Sequence, residues 1–86
     1  VRLARTARFK RAYQAPTEAQ RAQATRAIIR LAADSRHPGL RVKWVRGTRS
    51  IWEARVSRSL RLAFQIEEDI LVLRSIGEHD TTLDRP

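Results

Sequence analysis

Residues 51–66, IWEARVSRSLRLAFQI, contain two short runs of alternating apolar and polar residues that are close enough to form one hairpin. A period of two is typical of strands with one buried face. Residues that oppose each other in a hairpin must share a face of the sheet, so the alternation restricts the register. If residues 57–59 form a three-residue loop, Trp52 opposes Phe64 and every inward side chain meets another inward side chain. The stretch therefore predicts an antiparallel hairpin in this register.

The same register brings two arginines together on the outward face of the hairpin. Arg55 lies directly opposite Arg61, and Arg58 lies in the loop between the strands. Like charges that face each other across a ladder are destabilising, and such conflicts are tolerated mainly at functional sites. Glu53, diagonal to Arg61, could relieve the repulsion by forming an ion pair. We favour an anion-binding site here, with a purely structural ion pair as the alternative.

Two other segments in the second half of the chain have strand patterns. Residues 40–45, LRVKWV, alternate, whereas residues 70–76, ILVLRSI, are apolar almost throughout, as in a strand covered on both faces. Trp44 and Trp52 both have the inward parity of their strands. Core packing is the expectation for both tryptophans, and stacking on an RNA base is the alternative.

The first half of the chain predicts a helical hairpin after a short edge strand at residues 1–5. Residues 6–13 have an amphipathic helical pattern, and TEAQ at 17–20 fits a capping box that opens a second helix. The turn residues at 34–39 end this helix. The expected fold is α+β, with the helical hairpin packed on a small, mainly antiparallel, twisted sheet of four or five strands. We expect residues 1–86 to form a single domain.

The charge of the chain is strongly asymmetric. The net charge is +9, and residues 1–61 hold sixteen Lys or Arg against three Asp or Glu, which gives +13 for this segment. Residues 62–86 hold two against six, or −4. This balance indicates an anionic partner, and the dominance of arginine suits bidentate contact with phosphate. Biased genomic composition is the alternative explanation for scattered positions such as Arg2 and Arg26.

Several classes of function lack support in the sequence. The chain has no cysteine, which excludes disulfides and thiolate metal sites and is compatible with a reducing cytoplasm, where we place the protein. No apolar run is long enough to cross a membrane, so no membrane association is expected. The two histidines, His37 and His79, do not have a metal-ligand spacing, and no glycine-rich phosphate loop is present. We therefore expect no metal and no cofactor.

His79 is the histidine with a potential chemical role. In SIGEHD it follows the last apolar strand, after a glycine, whereas His37 precedes Pro38 in a turn. A loop residue at the end of a strand combines a rigid scaffold with an accessible tip, which suits proton transfer. Asp80 could orient its imidazole. The alternative is an exposed histidine without a function.

Three segments, HPGLRVKWVRG, IWEARVSRSLRLAFQI and ILVLRSIGEHD, together resemble the RelE/ParE superfamily of small toxins from bacterial type II toxin–antitoxin pairs, in particular its RelE/YafQ-like branch. The resemblance runs over about residues 1–83 and is strongest from His37 to Asp80. It implies a small antiparallel sheet packed on a helical hairpin, in agreement with the fold expected from the residue patterns.

The resemblance also implies an activity. Many members of the superfamily are ribosome-dependent, metal-independent mRNA endonucleases that activate the RNA 2′-hydroxyl to attack the adjacent phosphate. Arg55 resembles a basic residue of the third strand, Arg61 the arginine that opens the fourth strand, and His79 a histidine that transfers protons. These three residues are the expected catalytic set. The expected substrate-binding residues are Arg41, Lys43, Glu53 and Arg58.

The chain departs from the superfamily pattern at two places. Glu53 stands where the better-known nucleases carry a second basic residue, and the tail at 81–86 has no aromatic residue, with Leu83 near that place. Two alternative functions therefore stay open, a ParE-like inhibitor of DNA gyrase and a degenerate member that only binds its antitoxin or RNA. The expected partners are an acidic cognate antitoxin, the ribosome and mRNA.

Overall fold

The computed structural model describes residues 2–78. The elements are β1 (Arg2–Arg5), α1 (Ala7–Ala12), α2 (Glu18–Ala33), a 3₁₀ turn (Pro38–Leu40), β2 (Lys43–Trp44), β3 (Trp52–Arg55), β4 (Leu60–Glu67) and β5 (Ile70–Glu78). Two helices followed by four strands, with a further strand before them, give the α+β class that the sequence predicted. Neither helix in this range is long and apolar enough to span a bilayer.

The five strands form one mixed sheet in the order β1-β5-β4-β3-β2. β1 pairs with β5 in parallel, and the other three pairings are antiparallel. The short N-terminal segment is thus an edge strand, as predicted, and the apolar strand β5 lies inside the sheet between β1 and β4. β1 lies at one edge of the sheet and β2 at the opposite edge, and the two helices connect them.

The hairpin of β3 and β4 has the predicted register. Its pairs run from Trp52–Phe64 to Arg55–Arg61. The register follows from the sequence because a slip of one residue would carry the whole apolar set of both strands to the other face.

Side-chain caps begin both helices. The hydroxyl of Thr17 accepts from the amide of Gln20 at 3.1 Å, and the Gln20 side chain accepts from the amide of Thr17 at 2.9 Å, which completes the predicted capping box. Thr6 caps α1 by accepting from the amide of Phe9 at 3.1 Å, and its hydroxyl also donates to the carbonyl of Arg74 at 2.9 Å. The second bond ties the start of α1 to β5.

The core lies between the helices and one face of the sheet. Small residues of α2, Ala24 and Ala27, are buried against the strands and let the helix approach the sheet closely. The remaining buried core residues are Phe9, Leu31, Leu40, Ala54, Leu60, Leu62, Phe64, Leu71, Leu73 and Ile76. The alternate residues of β3 and β4 therefore face away from the helices, which places Arg55 and Arg61 on the opposite side of the sheet.

The expectation that both tryptophans pack in the core is wrong. Trp44 and Trp52 oppose each other across β2 and β3, and they are 49% and 39% exposed, whereas Val45 is only 2% exposed. Because Trp44 opposes Trp52 and Lys43 opposes Glu53, Trp44 lies on the same side of the sheet as Trp52, and Val45, which is not part of the core cluster, follows it on the other side. Trp52 does lie on the core side of its strand, but α2 ends at Ala33, before it covers this corner of the sheet.

Candidate functional site

The residues predicted to bind an anion meet on the face of the sheet opposite the helices. Lys43 opposes Glu53 across β2 and β3, and Arg55 opposes Arg61 across β3 and β4. We call the surface formed by these four residues the outer face. It carries three cations and one carboxylate within two adjacent cross-strand pairs.

Arg61 is held in a fixed orientation by the loop that precedes it. Its Nη1 donates to the carbonyls of Ser57 at 2.6 Å, Leu60 at 3.1 Å and Arg58 at 3.2 Å. Its Nε lies 3.5 Å from Oε1 of Glu53, and only 15% of its side chain is exposed. The guanidinium therefore closes the hairpin loop and places a positive charge at the start of β4.

Glu53 is a buried carboxylate between two cations. Its side chain is 2% exposed, and Oε1 lies 3.5 Å from Nε of Arg61 and 3.9 Å from Nζ of Lys43. A carboxylate buried in a protein is tolerated only when charge partners and hydrogen bonds compensate its desolvation. The ion pair that the sequence left as an alternative is therefore present, and it fixes the position of Arg61.

The other arginines near the outer face are less constrained. Arg55 is half-buried and Arg58 is exposed in the hairpin loop. Within residues 2–78, neither side chain has an ion pair or a hydrogen bond. Arg41 is exposed after the 3₁₀ turn, and the Lys43 side chain is 58% exposed. Arg41, Arg55 and Arg58 are thus cations without a carboxylate partner within residues 2–78.

His79 lies outside the described residues, as do Asp80 and Leu83, so its predicted role stays a prediction. The described part of β5 ends at Glu78, which opposes Leu60, and Gly77 opposes Arg61.

The described residues can also be searched for side chains that could bind a metal ion. Over residues 2–78, no three His, Cys, Asp or Glu side chains are grouped in a way that could hold a metal ion. His37 serves its turn, where Nδ1 accepts from the amide of Gly39 at 3.1 Å.

A groove beside Trp52 was not expected from the sequence. Its volume is ≈ 560 Å³, and its exposed lining is mostly apolar. The floor consists of Val42, Trp52, Phe64 and Ile66, and the rim of Ser35, Arg36, His37, Pro38 and Arg41. We call it the Trp52 groove. Sequence reasoning missed it because parity assigns Trp52 to a face of the sheet without showing how far the helix covers that face.

Comparisons with known proteins identify the fold. No family model matches the sequence, and no curated protein matches it. Among solved structures, YafQ from E. coli strain BL21(DE3) has a TM-score of 0.80 at 9% identity, over 95% of this chain and 98% of that chain. RelE in the RelB-RelE antitoxin-toxin complex from Methanococcus jannaschii has a TM-score of 0.75 at 12% identity, over 96% and 98%.

A third structure, a YoeB/ParE toxin from Agrobacterium tumefaciens, has a TM-score of 0.78 at 14% identity, over 92% of this chain and 99% of that chain. This chain has the RelE/ParE fold, the fold of toxins from toxin–antitoxin systems. The fold that the sequence resemblance implied is therefore confirmed, over nearly the full length of the proteins compared.

Proposed function

We propose that this chain is the toxin of a type II toxin–antitoxin pair and that it acts as a ribosome-dependent, metal-independent mRNA endonuclease. The observation that carries the proposal is the Arg55–Arg61 pair on the outer face of a RelE/ParE fold. Two guanidinium groups opposed on one strand pair repel each other, and a bound phosphate would remove that repulsion.

The chemistry requires positive charge at the reacting phosphate. When the RNA 2′-oxygen attacks phosphorus, the O2′–P bond forms as the P–O5′ bond breaks, and negative charge accumulates on the phosphorane oxygens. Donors that are already oriented stabilise this charge most effectively, because they need no reorganisation during the reaction. Arg61 meets this condition through its bonds to the Ser57 and Leu60 carbonyls, and Arg55 supplies the second cation.

The remaining predicted residues have supporting roles in this proposal. His79 would transfer a proton, since imidazole exchanges protons near neutral pH. Arg41, Lys43 and Arg58 would hold the RNA backbone by charge. The burial of Glu53 and its 3.5 Å distance to Arg61 favour a positioning role over direct contact with RNA.

The partner that fits this surface is an acidic antitoxin. Residues 1–61 carry a net charge of +13, so an acidic chain would be attracted at long range and in a salt-sensitive manner. The Trp52 groove has an apolar floor and arginines at its rim, which suits an acidic segment that inserts an apolar side chain. We assign this groove to the antitoxin. The RelE structure from Methanococcus jannaschii is that of a complex with its antitoxin RelB, which supports an antitoxin as the partner.

A ParE-like inhibitor of DNA gyrase is the second candidate function. The observation in its favour is the Glu53–Arg61 ion pair, because it neutralises part of the charge that a nuclease would direct at phosphate. A YoeB/ParE toxin is also among the structures that share the fold. A degenerate member that only binds its antitoxin or RNA is the third.

Primer extension on mRNA from cells that briefly express the chain separates these functions. Cells expressing wild type, the double variant Arg61→Ala/His79→Ala, or Arg49→Ala are compared, where Arg49 is an exposed loop arginine outside the Arg55–Arg61 pair. The proposal predicts discrete cuts in translated regions that disappear in the double variant and persist in the control. Intact messages in growth-arrested cells would indicate gyrase, to be checked by supercoiling of plasmid DNA. Intact messages in growing cells would leave a binding protein.

A further inference from the structure

A small cavity lies between α2 and the end of β3, and arginines dominate its lining. Its volume is ≈ 190 Å³, and it is lined by Arg26, Arg30 and Gln23 of α2 and by Arg55 of β3, together with neighbouring apolar residues. None of the lining residues is acidic, and the exposed surface of the lining is mostly polar. We call it the arginine cavity.

The three arginines of this cavity have no counter-ion in the described part of the chain. Within residues 2–78, Arg26, Arg30 and Arg55 have neither an ion pair nor a side-chain hydrogen bond, whereas Arg61 and Arg2 each have a carboxylate partner. Arg26 and Arg30 are also four residues apart on one helix, a spacing at which like charges destabilise the helix. The carboxyl end of α2 favours a cation at Arg30, but it does not explain the other two.

Arg55 connects the arginine cavity to the outer face. The pairing of β2 with β3 stops at Lys43–Glu53, so the edge of β3 at Arg55 has no strand beside it. Arg55 thus opposes Arg61 on one side and lines the cavity on the other. A polyanion bound on the outer face could continue past this open edge to α2 and stay in contact with positively charged side chains along the way.

We infer that the arginine cavity binds a phosphate of an RNA backbone, next along the strand from the phosphate at Arg55 and Arg61. The planar fork of arginine matches two oxygens of a phosphate, and the Gln23 amide adds a donor. A protein partner fits less well, because this lining lacks the apolar floor that the Trp52 groove provides. The order of the two phosphates along the RNA strand rests on the proposed function. The binding of a phosphate in the arginine cavity does not depend on it.

The test measures binding without cleavage. The probe is a short fluorescein-labelled single-stranded RNA that is 2′-O-methylated throughout, so that no 2′-hydroxyl can react. The cavity variant Arg26→Gln/Arg30→Gln is compared with Arg8→Gln/Arg11→Gln, which removes the same charge from two exposed positions of α1. Fluorescence anisotropy is recorded at several salt concentrations, and circular dichroism checks folding.

The cavity variant is expected to raise the Kd about tenfold and to reduce the slope of log K against log salt by about 0.7, the value for one phosphate of a single strand. The α1 control is expected to change Kd by about twofold or less. The single variant Arg26→Gln, which keeps Arg30 at the helix end, serves if the double variant does not fold. For this single variant, we expect the affinity for RNA to fall about threefold or more, again with a lower salt slope.

Three results would overturn the inference. These are no RNA binding by wild type, an equal loss of RNA affinity in the cavity and control variants, or a loss of affinity in the cavity variant that is as large for a polyglutamate peptide as for RNA. The last result would assign the cavity to an acidic protein. Failure of the proposed nuclease is distinguishable, because cavity-dependent RNA binding without cleavage in cells would reject only the nuclease.

Discussion

Oε1 of Glu53 lies 3.5 Å from Nε of Arg61, on the same face of the sheet where Arg61 opposes Arg55. This relationship joins the two interpretations that the sequence offered for the hairpin. The ion pair fixes one arginine, and the same register leaves the other without a carboxylate partner in the described part of the chain. A structural ion pair and an anion site are therefore compatible. The ion pair holds the guanidinium of Arg61 in a fixed orientation, and Arg55 keeps a positive charge that no carboxylate of the described residues neutralises.

Replacing Glu53 by Gln should destabilise the fold, because it removes the negative charge between Lys43 and Arg61 in a buried position. Breaking a buried pair by removing one partner is strongly unfavourable, and the amide recovers only part of the hydrogen bonding. We expect the free energy of unfolding to fall by about 1–3 kcal/mol in urea denaturation. Glu68→Gln, at an exposed turn, is the control and should change it by less than about 0.5 kcal/mol. Equal stability of the two variants would contradict the structural role of Glu53.

The two opposed arginines should respond differently to truncation. Arg61→Ala removes the donor that holds the Ser57 and Leu60 carbonyls, so we expect it to lower the free energy of unfolding by about 2 kcal/mol. Arg55→Ala removes only a repelling charge, and stability should change by less than about 0.5 kcal/mol. Both variants should lower RNA cleavage by about 10²-fold or more.

Urea denaturation and primer extension on the same variants check these expectations. Arg61→Lys is the matched variant, since it keeps the charge but cannot reproduce the guanidinium bonds. If Arg55→Ala cleaves RNA as wild type does, the Arg55–Arg61 pair is not the phosphate site.

His79→Ala should abolish cleavage without weakening the antitoxin complex. A general acid or base contributes about 10²–10⁴-fold to rate, so the in-cell cuts should disappear in primer extension. His37→Ala is the control, because that imidazole accepts a turn hydrogen bond from Gly39, and it should leave the cuts in place. Toxicity that persists in His79→Ala would indicate gyrase inhibition instead.

Local chemistry made much of this fold predictable. The capping box at Thr17 and Gln20 depends on residues three apart, and the register of β3 and β4 follows from alternation across a short loop. Both features involve residues close in sequence, so no knowledge of the packing was needed. The pairing of Arg55 with Arg61 is a direct consequence of that register.

The features that sequence reasoning missed depend on where distant elements end. Trp52 was assigned to the correct face, but its exposure follows from the end of α2 at Ala33. Trp44 opposes Trp52 on the same face and is likewise exposed. The arginine cavity likewise requires α2 to lie beside the open edge of β3, which the positions of Arg26 and Arg30 in the sequence do not reveal.

Trp52→Ala should weaken binding of the antitoxin far more than it weakens the fold. The side chain is 39% exposed in the Trp52 groove, and truncating an aromatic anchor at an interface costs about 2 kcal/mol or more, which is roughly a thirtyfold increase in Kd. Ile29→Ala removes another exposed apolar side chain, on α2 and outside the lining of the groove, and should leave Kd within about twofold. Isothermal titration with the purified antitoxin measures both variants, and thermal unfolding confirms that they are folded. Equal affinity of the two variants would place the antitoxin elsewhere and return the groove to the RNA-stacking interpretation of Trp52.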